Sequence, residues 1–436
     1  MDHGMHAEAV EFTSQLIRID TSNYGPGTEG PGERAAAEFV AQKLDEVGVE
    51  AKILEAAPRR TTIVANWEPE GCDTSLAPLL VHGHLDVVPA VAEEWSVDPF
   101  AGEVKDGCVW GRGAIDMKNF DAVMLAVVRD RIRSKRPSRR PIRWVFTADE
   151  EAGGPLGSVW LARNHPELIS DCTQAVGEVG GFSLSIRGQR LYLIQTAEKG
   201  LAWLKLIAEG TAGHGSMRNA DNAVTELARA ISALGGYKWP PNLHPAQQAF
   251  LDAVGEALGV DITADTLEET LTQLGSISRM VGATMSHTVN PTMLQAGYKA
   301  NVIPRVATGA VDGRYLPGRR EEFFGTIREI IGEKVRLEIM HEQPGVEAEW
   351  GTSLTDAMTA AIRDFDSGAV TTPYIMSAGT DAKGWSELGI QCYGFIPLKL
   401  PQDFDFVSMF HGVDERVPIE SLDFAVDVFD RFLDLA

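Results

Sequence analysis

The sequence predicts an α/β protein, a mixed sheet flanked by helices and interrupted by a smaller α+β segment. Three observations carry that expectation. Short apolar runs rich in β-branched residues alternate with stretches of helical apolar spacing through the first part of the chain. Acids and histidines recur where those runs give way to loops, at the end of an open α/β sheet where ligands bind. From about Ala197 the texture shifts to a strand, helix, strand, helix, strand pattern, and the chain returns to its first style near Gly345. Residues 1–196 and 345–436 are therefore expected to build one domain in two parts, and 197–344 an inserted one.

The elements follow in order. Ala7 to Arg18 and Glu33 to Val47 carry helical spacing, the second stopping at Gly48. Strand-like runs come at Ala51 to Leu54, Thr61 to Trp67 and Pro78 to Val81; Asn119 to Arg131 reads as helix and Ile142 to Phe146 as buried strand. The basic run Arg131 to Arg143 is expected at the helix C-terminal dipole and in a solvated loop. In the inserted segment Leu201 to Ile207 is a strand, Ala220 to Leu234 a helix, Val302 to Tyr315 strand-like, Glu321 to Ile331 a helix and Val335 to Met340 a strand.

Composition limits the function classes. A chain of 436 residues with 44% hydrophobic content suits a globular enzyme with a large core. No apolar run approaches the ~18 residues of a membrane span, and Met1 to His6 has neither the basic region nor the apolar core of a secretory signal. Cys72, Cys108, Cys172 and Cys392 are scattered, as in reduced cytoplasmic proteins. The net charge of −23 disfavours nucleic acid and anionic membranes as partners. An anionic substrate would have to be drawn in by local positive charge.

Leu80 to Pro89 reads as a buried strand running into His84-Leu85-Asp86 and stopped by Pro89. Residues two apart share a strand face, so His84 and Asp86 are expected to point together, with the carboxylate holding one ring nitrogen of a metal-bound imidazole. His82 also lies near the strand end, but is expected to serve structure. Further acids end Gly111-Arg112-Gly113-Ala114-Ile115-Asp116, follow Trp144-Val145-Phe146-Thr147-Ala148 as Glu150-Glu151, and close Val176-Gly177-Glu178; His411 comes late. Two divalent cations need several carboxylates, one bridging, and imidazoles to complete each sphere. Asp116, Glu151 and Glu178 with a bridging hydroxide would balance their four charges, and His84 and His411 would be neutral ligands. Glu150, adjacent to a ligand but pointing elsewhere, suits a general base. Nitrogen and oxygen donors favour zinc, with cobalt or manganese as alternatives.

This motif set resembles the dinuclear zinc amidohydrolases that include glutamate carboxypeptidase, aminoacylase, carboxypeptidase S, succinyl-diaminopimelate desuccinylase and acetylornithine deacetylase, from about His82 to His411. The resemblance implies a zinc-peptidase-like catalytic domain and an inserted ferredoxin-like lid and dimerisation domain. It implies two Zn2+ per subunit, with Asp116 bridging, His84 and Glu178 on one metal, Glu151 and His411 on the other, Asp86 orienting His84 and Glu150 as base. Gly213-His214-Gly215-Ser216 with Asn222-Ala223 resembles the lid motif whose histidine stabilises the oxyanion in a neighbouring subunit. Asn301 and Arg314 match positions that hold a substrate carboxylate, and Gly379-Thr380-Asp381 a loop lining the pocket. Tyr237 to Thr292, with a helix at Pro245 to Leu258, is long for the family and is expected to elaborate the lid.

The activity implied is hydrolysis of an amide bond in a small peptide or N-acyl amino acid by a cytoplasmic homodimer. A carboxypeptidase or dipeptidase type is favoured over an N-acyl-amino-acid deacylase. Ser216 lacks the second glycine of a Gly-x-Ser-x-Gly elbow, and Gly111-x-Gly113 lacks the third glycine of a dinucleotide fingerprint. Asp149 and Glu415, which flank site residues, are assigned no role.

Overall fold

The large sheet grows outward from Leu79–His84, whose six residues are all buried. In the computed structural model, which describes residues 4–263, 266–272 and 277–436, this strand lies between two parallel neighbours, Ile142–Thr147 and Gln174–Gly177. Parallel strands covered on both faces need continuous apolar runs rather than alternation, and Ile142–Thr147 is buried along its whole length too. Arg60–Trp67 joins Ile142–Thr147 antiparallel, and Ala51–Ala57 closes that edge as a hairpin. On the other side Gln391–Gly394 runs parallel to Gln174–Gly177 and antiparallel to Gln189–Glu198, which also pairs with Val370–Met376 in parallel. The sheet is mixed and has ten strands among the described residues. Period-two alternation splits its faces: Leu79 and Val81 join one apolar cluster, with Phe120, Met124 and Phe429, while Leu80 joins another, with Leu161 and Trp385.

A second, antiparallel sheet has the spatial order Thr288–Ala296, Val306–Tyr315, Gly200–Glu209, Val335–Gln343. Helices Ala223–Gly236 and Arg320–Ile331 seal one face around Leu204, Leu206, Leu227, Phe323 and Ile327. A strand–helix–strand–strand–helix–strand chain with this order is ferredoxin-like. The expected run Val302 to Tyr315 divides at Pro304, which has no N–H to donate. Val302–Ile303 pairs with Gly213–His214, and Val306–Tyr315 enters the sheet. Helix Pro245–Leu258 departs from its expected place as lid elaboration: Phe250, Leu251, Val254 and Leu258 bury in the core of the large sheet, against Val370–Met376. Residues 264–265 and 273–276 of that segment, and Met1 to His3, lie outside the described residues.

The chain first crosses between the sheets at Glu198–Gly200 and finally returns at Gln343–Val346. The buried Lys383 ties both crossings: its Nζ donates to the carbonyls of Lys199 and Pro344, each at 2.9 Å, and lies 3.5 Å from the Glu198 carboxylate.

The basic run meets its expected place in part: Arg131 and Arg133 lie in the last helical turn, and Arg133, Lys135 and Arg139 are exposed, but Arg131 itself and Arg143 are buried in ion pairs. Arg131 is fully buried, its Nε 2.7 Å from Asp430 and its Nη2 2.8 Å from Asp434, while Arg136 also meets Asp430 and Arg143 meets Asp171. The guanidiniums of Arg131 and Arg136 fasten the last helix, Ile419–Leu435, to the end of Lys118–Ser134, a partnership across about 300 residues that local charge patterning does not reveal. Arg131→Met is expected to destabilise the fold by about 3 kcal/mol, the lower end for breaking a buried pair because Arg136 still faces Asp430. The check is a lowered urea midpoint at unchanged slope; an unmoved midpoint would show that the pair adds nothing.

Candidate metal centre

The carboxyl ends of the central parallel strands present the donors. His84 ends its strand, Glu178 follows Gln174–Gly177, and Glu150 and Glu151 open the turn after Ile142–Thr147. Asp116 ends the turn after strand Cys108–Trp110, and His411 sits in a tight turn at φ 56°. His84 Nε2 lies 3.0 Å from Asp116 Oδ1 and 3.2 Å from Glu178 Oε2. His411 Nε2 lies 3.4 Å from Asp116 Oδ2 and 3.2 Å from Glu151 Oε2. The two oxygens of Asp116 thus face different imidazoles. Two donor sets result, His84–Asp116–Glu178 and Asp116–Glu151–His411, the atoms of each within 4.8 Å of one another. Glu150 belongs to neither set, although its Oε2 lies 3.9 Å from His84 Nε2.

Asp86 does its work differently from the shared-face expectation, because the strand ends at His84 and the alternation with it. His84 Nδ1 meets the Asp86 carbonyl at 2.9 Å, whereas the carboxylate is 3.7 Å away. That carboxylate instead accepts from the N–H groups of Glu150 and Glu151, both at 3.1 Å, and from Asn23 Nδ2 at 2.9 Å. Asp86 therefore fixes the imidazole through its main chain and the Glu150–Glu151 turn through its side chain. His82, as expected, serves packing: it is buried, edge-on to Trp385 at 5.7 Å.

Charge is crowded here. Burial pushes Glu178 up to about 8, even with His84 pulling the other way. Burial and then the Glu178 charge hold Glu150 well above the usual carboxylate range, and burial and Asp116 raise Glu151. Burial opposes a charged His84, but Glu178 and Asp116 outweigh it and keep that imidazole well above its ordinary value. His411 is raised to about 10 by its bonds to Asp116 and Glu151. Acids buried this deeply call for more positive charge than two imidazoles supply. The donors are all imidazole nitrogen and carboxylate oxygen, which suits a pair of divalent cations of the zinc type.

Several residues that hold the centre escaped the sequence reading. Glu415 is fully buried and accepts from the main-chain N–H groups of Gly113, Ile115 and Asp116. Asn23 links Asp86 to Asp149, and Asp149 accepts from Leu156 N to shape the Glu150 turn. Asp121 is buried on the helix behind Gly83, and neither of its oxygens has a partner among the described residues. Its signal was available, an acid within the apolar spacing of Asn119 to Arg131.

The remaining expected site residues lie elsewhere. His214 is exposed, with Nδ1 2.9 Å from Ser216 Oγ, and Gly215 N donates to Asn301 O at 2.9 Å, so the Gly-His-Gly-Ser turn and Asn301 come together. Asn222 caps helix Ala223–Gly236 by accepting from Val224 N and Thr225 N. Arg314 turns its Nε to Asp312 at 2.7 Å. Among the described residues no hydrogen bond or ion pair joins His214, Asn301 or Arg314 to the five donors. Gly379 leaves no room for a Cβ, which would meet Lys383 Cε at 2.6 Å. Thr380 is buried, and both its N and Oγ1 bond the Glu198 carboxylate, so it fixes its loop.

A mixed α/β sheet whose loops carry two donor sets fused at one carboxylate, with a buried acid beside them, defines a metal-dependent hydrolase of amide bonds. The chain belongs to peptidase family M20/M25/M40, whose family model matches residues 80–435. It is 27% identical over 393 residues to the probable carboxypeptidase S-like 2 of Dictyostelium discoideum, covering 84% of this chain and 73% of that protein. It is 26% identical over 440 residues to aminoacylase-1 of Sus scrofa, covering 99% and 95%. Its fold is similar to that of the M20 family metallo-carboxypeptidase Sso-CP2 from Sulfolobus solfataricus, with a TM-score of 0.71, 17% identity and coverage of 98% and 99%.

Proposed function

We propose that the protein is an exopeptidase of carboxypeptidase or dipeptidase type that holds two zinc ions per subunit and cleaves small peptides with a free carboxylate. The observation that carries this reading is Asp116, with one oxygen toward each imidazole and the unligated Glu150 alongside. His84 and Glu178 would hold one cation, Glu151 and His411 the other, and Asp116 both. Cations bound there would polarise the scissile carbonyl and make a water acidic. Glu150 takes the proton of that water and delivers it to the leaving nitrogen, a role open to a buried carboxylate that belongs to neither donor set. Arg314 and Asn301 would meet the substrate carboxylate, a guanidinium fork being shaped for it; Gly379 and Thr380 shape the loop beside them.

The reading includes a homodimer through the smaller sheet, in a cytoplasmic setting that the four free cysteines support. Residues 197–344 would form the lid, with helix Pro245–Leu258 packed back on the catalytic sheet. Thr288–Ala296 is an edge strand with exposed Met293 and Leu294, the kind of edge that another chain covers. His214 then reaches the partner's centre and steadies the carbonyl oxygen as charge develops. His214→Ala is expected to lower kcat by about 10²–10³. Mixing His214→Ala chains with Glu150→Ala chains should restore about a quarter of wild-type activity by random pairing; no recovery would remove donation between subunits. No helix among the described residues is long and apolar enough to cross a membrane.

A second reading, an N-acyl-amino-acid deacylase, is supported by the similarity to aminoacylase-1, which runs over 99% of this chain and 95% of that protein. Metal-free protein given back zinc, cobalt or manganese and offered dipeptides and N-acyl amino acids separates the two. Cleavage confined to N-acyl amino acids would select the second, and cleavage of neither class would sink both.

A further inference from the structure

The bridging donor and the late histidine reach the centre on loops about 300 residues apart in sequence, and one side chain joins them. We propose that Glu415 is a positioning residue that sets the separation of the two metal seats by clamping the Asp116 turn to the His411 turn. The inference rests on the two-cation reading above. Glu415 Oε1 accepts from Ile115 N at 2.6 Å and Asp116 N at 3.2 Å; Oε2 accepts from Gly113 N at 3.1 Å and Arg112 Nη1 at 2.6 Å. Arg112 Nη2 then donates to Gly412 O at 2.9 Å, and Gly111 N to Glu415 O at 2.9 Å. The Gly111–Asp116 turn thus wraps its amides around one buried carboxylate, a nest of the kind that ordinarily receives an anion. Here the anion comes from the protein, four residues after His411.

The surroundings show why a clamp is needed. The His411 side chain is 55% exposed, and its turn runs through positive φ at His411 and Asp414. A Cβ at Gly412 would meet Ser408 O at 2.4 Å, so the turn cannot relax by trading that glycine. Strand Arg416–Pro418 starts directly after Glu415 and pairs with Cys108–Trp110, which leads into the Asp116 turn. One short sheet therefore carries both ligand loops, and Glu415 with Arg112 crosses its open end. Arg112 is held in turn over the Trp95 ring at 5.1 Å. Lost orientation at such a supporting group typically weakens metal affinity about 10–100-fold.

The experiment titrates cobalt into metal-free wild-type, Glu415→Gln and Arg112→Met proteins, reading stoichiometry and dissociation constants by competition with a chelating dye, and site geometry by the visible spectrum. Glutamine keeps the shape but turns an NH2 toward main-chain donors; methionine at 112 cuts the link to Gly412 and leaves the nest. Both variants are expected to bind the second equivalent about 10–100-fold more weakly, with an altered spectrum. Glu415→Asp, which keeps the charge, should recover part of the loss. If Glu415→Gln does not fold, Arg112→Met decides. Wild-type affinities and spectrum in the variants overturn the clamp alone, whereas a wild-type protein that takes up no cation overturns the two-cation reading and the clamp with it.

Discussion

Glu150→Gln is expected to lower kcat by about 10²–10⁴-fold while the protein still takes up two cations. The amide has the volume of the carboxylate but cannot hold a transferable proton. Glu150 lies outside both donor sets, so the seats keep their ligands. Its main-chain N–H stays bonded to Asp86, which keeps the turn and therefore Glu151 in place. KM should change little, because a proton carrier acts on the reacting atoms rather than on the bound ground state. Steady-state kinetics beside metal analysis gives the answer, and a kcat within twofold of wild type would dismiss Glu150 from the reaction.

Asp116→Ala is expected to abolish activity and to weaken both seats at once, because each uses a different oxygen of that one carboxylate. Wild type should gain stability with added cation, by about 2.7 kcal/mol per seat at one hundred times the dissociation constant; the variant should lose most of that gain. Proton release is a second readout. Without cations Glu178, pushed up to about 8 by burial, and His411, raised to about 10 by Asp116 and Glu151, both carry protons at pH 7. A ligand must give up its proton to bind, so affinity should rise with pH and fall in acid. Calorimetry in buffers of different ionisation enthalpy measures the protons released. Two wild-type affinities retained in Asp116→Ala would rule out a shared ligand.

His84, Glu150, Glu151 and Glu178 were legible because each stands where a buried run meets a turn, whereas Asp116 and His411 sit in turns and were singled out with the help of the family resemblance. The α/β sheet followed from the same alternation, and its mixed character from the family resemblance. What sequence could not show depends on distant partners. Arg131 looked like a solvated charge because Asp430 and Asp434 are about 300 residues away. Helix Pro245–Leu258 had the right spacing, but spacing does not say which sheet receives the apolar face. Asp86 was misaimed because period-two alternation holds only while a strand lasts, and this one stops at His84. Glu415 gave no signal, since its role lies in amides that fold brings to it.

Lys383 has a mechanical consequence. The first and last polypeptide passages between the sheets are pinned to one ammonium, so a rotation of the smaller sheet would move least at that pivot, while the passages on either side of helix Pro245–Leu258 would have to flex. Strand Gly200–Glu209 is a rigid arm of about 33 Å running away from that pivot. A swing of about 10° would shift its far end by about 6 Å, and the His214 turn with it, while Arg314, paired across from Leu201 near the pivot, would hardly stir. A molecule gripped at the near end could stay put through a full stroke of the far end.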